Sequence, residues 1–253
     1  MKLTLDVENT GITRDGKLHI DPYDSSNQLV MVGTKTDKNE TRIFTFHHEQ
    51  VTDVDKPDDL QKLLDQATVL IGHNIAYDLT WLWECGFKYD GPVFDTMLAE
   101  YVLRRGIKSP LTLAACAEQY KLQTQKQTAL KEHLDSGGTV ANMDYDRLCS
   151  YLLDDLNATQ ELSNKLYIRL NSKEDSSLMN TVLLTNKVAV CLAKINKRGM
   201  KVDKEVLKQV RLEFETEQKK LLEEVYWQTK DLMGDVPINL SSPEQLSWAI
   251  YSR

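Results

Sequence analysis

Asp6 and Glu8 stand two residues apart in "TLDVENTG", where Leu3, Leu5 and Val7 alternate with Thr4, Asp6 and Glu8. A period of two marks a strand, and on a strand residues i and i+2 point to the same side. Neighbouring carboxylates repel unless something positive sits between them. A hard divalent cation takes oxygen ligands of this kind, often one or two carboxylates together with substrate phosphates. Taken alone, the pair is more common as a solvated acidic strand face.

Two further pairs have spacing that could complete such a centre. "IGHNIAYDL" leaves an apolar run and enters a helix, placing Asn74 and Asp78 at i, i+4 on one face of its first turn. Singly, Asn74 reads as a helix cap and Asp78 as a solvated helix residue. In "YLLDDLNAT", Tyr151 and Asp155 are again i, i+4, on the flank of a long apolar stripe. Asp154 falls about 100° round the helix, toward solvent. Tyr151 alone fits a core aromatic with its hydroxyl at the rim equally well.

The elements that must position these residues are legible from periodicity. After the first strand, "NQLVMVGTKT" and "TRIFTF" read as two more strands around the turn-like "DKNE", which together suggest an antiparallel meander. Pro57 opens a helix, "TVLIGHN" is a buried strand, and "AYDLTWLWECG" is a helix stopped by Gly86. "PVF" is a brief strand, and "DTMLAEYVLRRG" a helix with Asp95 as N-cap. Strands followed by alternating strand and helix imply an α/β fold, a mixed sheet flanked by helices.

From Ser109 the chain reads as mainly helical. "SPLTLAACAEQYKL" is one helix, "DSGGTVAN" is loop, and Asp144 to Leu170 is a long helix. The polar "NSKEDSS" sets the expected domain boundary, giving a first domain of residues 1–174 and a helical segment of 175–253. The charged helix from about Lys204 to Met233 carries Val206, Val210, Phe214, Leu221, Leu222 and Val225. It is expected to stand off the first domain and to self-associate or move.

The composition is that of an ordinary soluble domain, 41% apolar and 27% charged over 253 residues. Cys85, Cys116, Cys149 and Cys191 form no metal or disulfide spacing, and no apolar h-region precedes the first strand. The expectation is a cytoplasmic protein with no membrane span. A net charge of −7 argues against coating long duplex DNA through a basic face. It leaves room for an enzyme that grips a few nucleotides through divalent metals.

The order D-x-E, N-x-x-x-D, Y-x-x-x-D resembles the DEDD superfamily of 3′→5′ exonucleases in its tyrosine variant. More narrowly, the chain resembles the proofreading domain of family A DNA polymerases, the bacterial polymerase I type and its phage relatives. "FDTMLAEYVL", "TLAACAEQY" and "YLLDDLNATQEL" carry the likeness, and "LAKINKRGMKVDKEVL" and "INLSSPEQL" extend it into the start of a polymerase thumb. The resemblance implies a ribonuclease H-like fold with a mixed five-stranded sheet, followed by a helical C-terminal extension. It implies two divalent ions, Mg²⁺ or Mn²⁺, on Asp6, Glu8, Asp78 and Asp155, with Tyr151 and Glu8 orienting the attacking water. Asn9, Thr10 and Ile12 would meet the terminal nucleotide, and Asn74 would support substrate or backbone. Arg104, Arg105 and Lys108 form the local basic cluster for the DNA backbone, or equally a solvated helix end. Many relatives carry Thr where this chain has Asn9. The expected partners are single-stranded or frayed 3′ DNA ends and the remainder of a DNA polymerase. No palm motif occurs before Arg253, so the expectation is either a piece of a longer polymerase or a split gene, phage-like in opening directly on the first strand.

Overall fold

A computed structural model of the chain describes residues 1–123, 129–234 and 236–251. Seven strands and nine α-helices are found among them. The five-stranded sheet has the order β5-β4-β1-β6-β7, formed by β1 (Lys2–Asn9), β4 (Leu29–Thr36), β5 (Thr41–Thr45), β6 (Val69–Gly72) and β7 (Val93–Asp95). β1 runs antiparallel to β4 on one side and parallel to β6 on the other. The meander expected for the first three long strands is therefore present as β1, β4 and β5.

A short hairpin interrupts it. β2 (Ile12–Arg14) and β3 (Lys17–His19) form a separate two-stranded sheet joined by Asp15 and Gly16. Both turn residues have positive φ, 51° and 71°, the conformation a two-residue type I′ turn requires. The sequence reading passed over this hairpin, although Asp-Gly between short apolar-containing runs is its usual signal.

The alternation of β1 sorts its side chains onto two layers. Leu3, Leu5 and Val7 pack with Leu60 and Leu64 of α1 (Pro57–Gln66) and with Ile75, Leu79 and Leu82 of α2 (Ile75–Glu84). The opposite face meets α6 (Tyr145–Leu170), whose Leu148 and Leu152 pack with Val30 and Met31 of β4. Further along α6, Ala158, Leu162 and Leu166 pack with Ile71, Phe94 and residues of α3 (Thr96–Leu103) and α4 (Leu113–Gln119). Thr4, Asp6 and Glu8 consequently face α6. α5 (Ala129–Asp135) is a short helix that the sequence reading did not place.

The chain forms two compact units, Met1–Arg198 and Gly199–Arg253. α7 (Met179–Arg198) follows the polar break at 171–177 and belongs to the first unit, where it packs on α2, α3 and β7. By length and composition alone, Ser176–Arg198 is long and apolar enough to cross a membrane, which corrects the expectation that no run approaches a span. Its buried Asn186 and the pairs Lys194–Asp90 and Lys197–Glu84 tie it to the first unit. In the second unit, α8 (Lys204–Met233) is capped by Asp203, which accepts from Glu205 and Val206 N–H, and α9 (Pro243–Tyr251) follows.

Candidate active site

The end of β1 is where the sheet becomes asymmetric. β6 pairs only with Lys2, Leu3 and Thr4, so beyond Thr4 that edge of β1 has no neighbouring strand. Asp78, in the first turn of α2, fills the gap: its Oδ1 accepts the Val7 N–H at 3.2 Å. A buried N–H left unpaired would be costly, and here a carboxylate satisfies it. Asp78 is thereby fixed beside the residue that separates Asp6 from Glu8.

α6 supplies the other half. Tyr151 and Asp155 lie one turn apart and are 6% and 4% exposed. Ligand oxygens of Asp6, Glu8 and Asp155 all lie within 4.8 Å of one another, with Asp78 outside that set. The Tyr151 hydroxyl donates to the Asp155 carboxylate, and burial, Asp155 and Glu8 hold its pKa far above the ordinary phenol value. Tyr151 is accordingly a neutral hydrogen-bond donor, able to orient a water but not to take its proton. Burial and the nearby Asp6 also push the Asp78 carboxyl well above the usual range.

Three carboxylates gathered this closely, with the raised Asp78 carboxyl near them, make an oxygen-only donor set that lacks countercharge. Such a set suits Mg²⁺ or Mn²⁺ rather than softer metals. The residues present fit the divalent ions that the sequence pattern implies.

Helix α6 can approach the sheet because β4 has a glycine opposite Asp6. Asp6 pairs with Gly33 across β1 and β4. A Cβ at Gly33 would come within 2.8 Å of Leu152 Cγ and 2.7 Å of Leu156 Cδ1, both fully buried. Gly33→Val should therefore push α6 outward, lowering stability by about 1–3 kcal/mol and weakening Mn²⁺ binding. Thermal melting and titration calorimetry check this, and unchanged Mn²⁺ affinity would show that α6 absorbs the extra atoms without moving Asp155.

Asn74 occupies the N-cap position of α2 with φ of 68°, but its side chain caps nothing and is exposed. Asp95 does that work instead. Its carboxylate accepts from Asn74 and Ile75 N–H at the start of α2, and from Met97 and Leu98 N–H at the start of α3. Asn9 and Thr10 lie at the end of β1, and half-buried Ile12 begins β2. Thr10 exchanges hydrogen bonds with Gln28 through its N–H and its hydroxyl oxygen.

The basic cluster needs correction. The Arg104 side chain is 8% exposed and forms a 2.8 Å ion pair with fully buried Glu100. Its remaining nitrogens donate to Ser109 Oγ, the Pro110 carbonyl and Gln119 Oε1. This arginine holds the fold together and has no free face for a phosphate. Arg105 pairs with Asp175, which also binds Arg169. Arg169 follows Asp155 by fourteen residues on α6, about 21 Å along the axis. The structure thus places Arg105 at the far end of α6 from the acidic centre, while Lys108 is exposed in the loop after α3. Gly33 and the double role of Asp95 escaped the sequence reading.

The family model described as 3′–5′ exonuclease matches residues 18–171. This chain belongs to that family. Asp6 and Glu8 precede the matched segment, so their place rests on the geometry above. DNA polymerase I of Borreliella burgdorferi is 28% identical over 147 residues, 58% of this chain but 15% of that polymerase. Among solved structures, the POL domain of Pol1 from M. smegmatis in complex with DNA primer-template and dNTP has a TM-score of 0.66 at 20% identity. That match covers 99% of this chain and 37% of that one. Brucella melitensis NrnC with bound Mg²⁺ has a TM-score of 0.56 at 18% identity, covering 78% of this chain and 86% of that one. The fold of this exonuclease domain is ribonuclease H-like, as the sequence reading expected.

Proposed function

We propose that the chain is a two-metal 3′→5′ exodeoxyribonuclease that removes nucleotides from DNA 3′ ends as the proofreading part of a polymerase I-like enzyme. The observation that carries this reading is the meeting of Asp6, Glu8 and Asp155 within 4.8 Å beneath Tyr151. Asp6, Glu8 and Asp155 would hold one ion, and Asp78 with Asp6 the second. When bound, the two ions supply positive charge to the attacking water and to the departing 3′ oxygen of an in-line displacement.

The chain's own groups do the positioning. The neutral Tyr151 hydroxyl donates a hydrogen bond, and Glu8 accepts one, so together they hold the water in line with the scissile bond. The water oxygen bonds to phosphorus and the P–O3′ bond breaks. A nucleoside 5′-monophosphate leaves, and the shortened strand keeps a 3′-hydroxyl. Asn9, Thr10 and Ile12, following Glu8 along the chain, and Asn74, one turn before Asp78, are the substrate-side residues of this proposal.

The polymerase context draws support from the match to the POL domain of Pol1, which covers 99% of this chain. The rest of such a polymerase, in the same chain or in another, would be the partner, and the cytoplasm the site of action. Nuclease neighbours of other kinds make RNA the rival substrate. A 5′-labelled DNA oligonucleotide with Mn²⁺ should shorten to a ladder, chelator should stop it, and a matched RNA should shorten more slowly. Faster loss of the RNA would replace proofreading with RNA trimming. Two intact oligonucleotides would make the chain a docking module without chemistry.

A further inference from the structure

β1 carries its carboxylates toward one end and a lysine at the other. Lys2 shares the α6-facing side of the strand with Thr4 and Asp6, about 13 Å from Asp6 along the chain. Its ammonium lies over the Tyr167 ring of α6, 4.8 Å from the centroid, and makes no ion pair among the described residues. Beside it the sheet edge and two helices enclose a cavity of about 160 Å³. Val69 and Ile71 of β6 and Phe94 of β7 line it from the sheet, and Met179 and Leu183 from α7. Lys2 pairs with Val69, Thr4 with Ile71 and Ile71 with Phe94, so these side chains share one face of the sheet. On α6 the space opens at Ser163, a small buried residue whose hydroxyl turns back to donate to the Gln160 carbonyl.

Water is a poor occupant for such a space, because an enclosed water needs two to four polar partners, whereas an apolar cavity of about 150 Å³ stays dry and takes a benzene-sized ring. Phe94 and Met179 suit an aromatic guest in particular, since a thioether makes favourable contacts with a ring. The polar groups are placed differently. Lys2 and Asn164 are both exposed and stand at the rim, and the Asn164 amide makes no hydrogen bond among the described residues. An ammonium and an amide side by side offer N–H donors to a carboxylate, and a bond from a charged donor is about twice as strong as a neutral one. An apolar ring inside and a negative charge at the mouth therefore match what the cavity presents.

We infer that this cavity is a binding site for a small aromatic carboxylate, with the ring between β6, β7, α6 and α7 and the charge on Lys2. It is separate from the acidic centre, whose crowded carboxylates at the other end of β1 repel such an anion. The occupant touches the sheet, α6 and the first turns of α7 together, so it also pins the start of α7 to the rest of the first unit. A ligand held only by the folded chain raises its stability by mass action.

The experiment titrates the chain with phenylacetate, and separately with toluene as the uncharged ring, following the methyl resonance of Met179. Phenylacetate should shift that resonance saturably and raise the melting temperature. Lys2→Gln should weaken phenylacetate about ten-fold, the worth of one charge-assisted hydrogen bond, and leave toluene binding unchanged. Ser163→Leu and Leu183→Trp each put a larger side chain into the space and should abolish binding of both compounds. Leu183 is 44% exposed, so its tryptophan variant keeps the test in force if Ser163→Leu fails to fold. No saturable shift with millimolar phenylacetate would overturn the inference, as would equal phenylacetate affinity in the wild-type chain and Lys2→Gln. Undiminished phenylacetate binding by folded Leu183→Trp would overturn it too, because the ligand would then sit elsewhere.

Discussion

Asp155→Ala should reduce cleavage of a labelled DNA strand to background, while Tyr151→Phe should keep a measurable fraction of it. The two residues lie one helical turn apart and hydrogen-bond to each other, yet their chemistry differs. Asp155 contributes an oxygen to the set within 4.8 Å, so alanine leaves Asp6 and Glu8 with one ligand fewer and a poorer cradle for a dication. Tyr151 contributes a neutral hydroxyl. Removing one well-placed donor to a transition state costs about 10²–10³ in rate, which a sensitive assay still detects. Mn²⁺ titration separates the roles independently of turnover. Affinity should fall sharply in Asp155→Ala and stay near wild type in Tyr151→Phe. If the phenylalanine variant loses metal as completely, Tyr151 is a strut for Asp155 and does not orient water.

Much of this site was legible because local periodicity decides which way a side chain points. Alternation in β1 put Asp6 and Glu8 on one face, and i, i+4 spacing put Tyr151 with Asp155; both hold in the structure. What the pattern could not reveal is how far apart those two faces lie. That distance depends on Gly33, a residue of β4 with no chemistry of its own, whose missing Cβ leaves room for Leu152 and Leu156. Asp78 was readable as a carboxylate in a first turn. Its task of filling the edge of β1 where β6 ends follows from strand pairing across sixty-odd residues, which no window of sequence contains.

The misreadings have the same origin. "LRRGIK" looks like a solvated basic run, but Glu100 one turn earlier is fully buried and draws Arg104 in with it. A charge that enters a core must be paired and hydrogen-bonded there, and Arg104 is. The Asp15-Gly16 hairpin is a different case. Its signal was present in the sequence and was outweighed by the stronger strands on either side.

Asp95→Ala should be among the most destabilising single substitutions in the first unit. Asp95 is 0% exposed, and four backbone N–H groups donate to it, two from each of two helix starts. Burial raises its carboxyl pKa, and those four donors oppose the rise. Alanine strips two caps at once and leaves buried donors unpaired, for a combined cost of about 3–5 kcal/mol. In a unit of this size that corresponds to a melting temperature lower by about 10 °C. Asp95→Asn should fall between, because an amide keeps one acceptor but turns its Nδ2 donors on the N–H at the other end. The damage should also reach the metal site. α2 begins at Ile75, whose N–H binds Asp95, and carries Asp78 in the same turn, so a frayed start loosens the Asp78–Val7 contact. Mn²⁺ affinity should therefore fall in Asp95→Ala at temperatures where the protein is still folded. A variant melting within about 1 °C of wild type would mean that water replaces the aspartate at both helix ends. The start of α2 would then owe its position to packing alone.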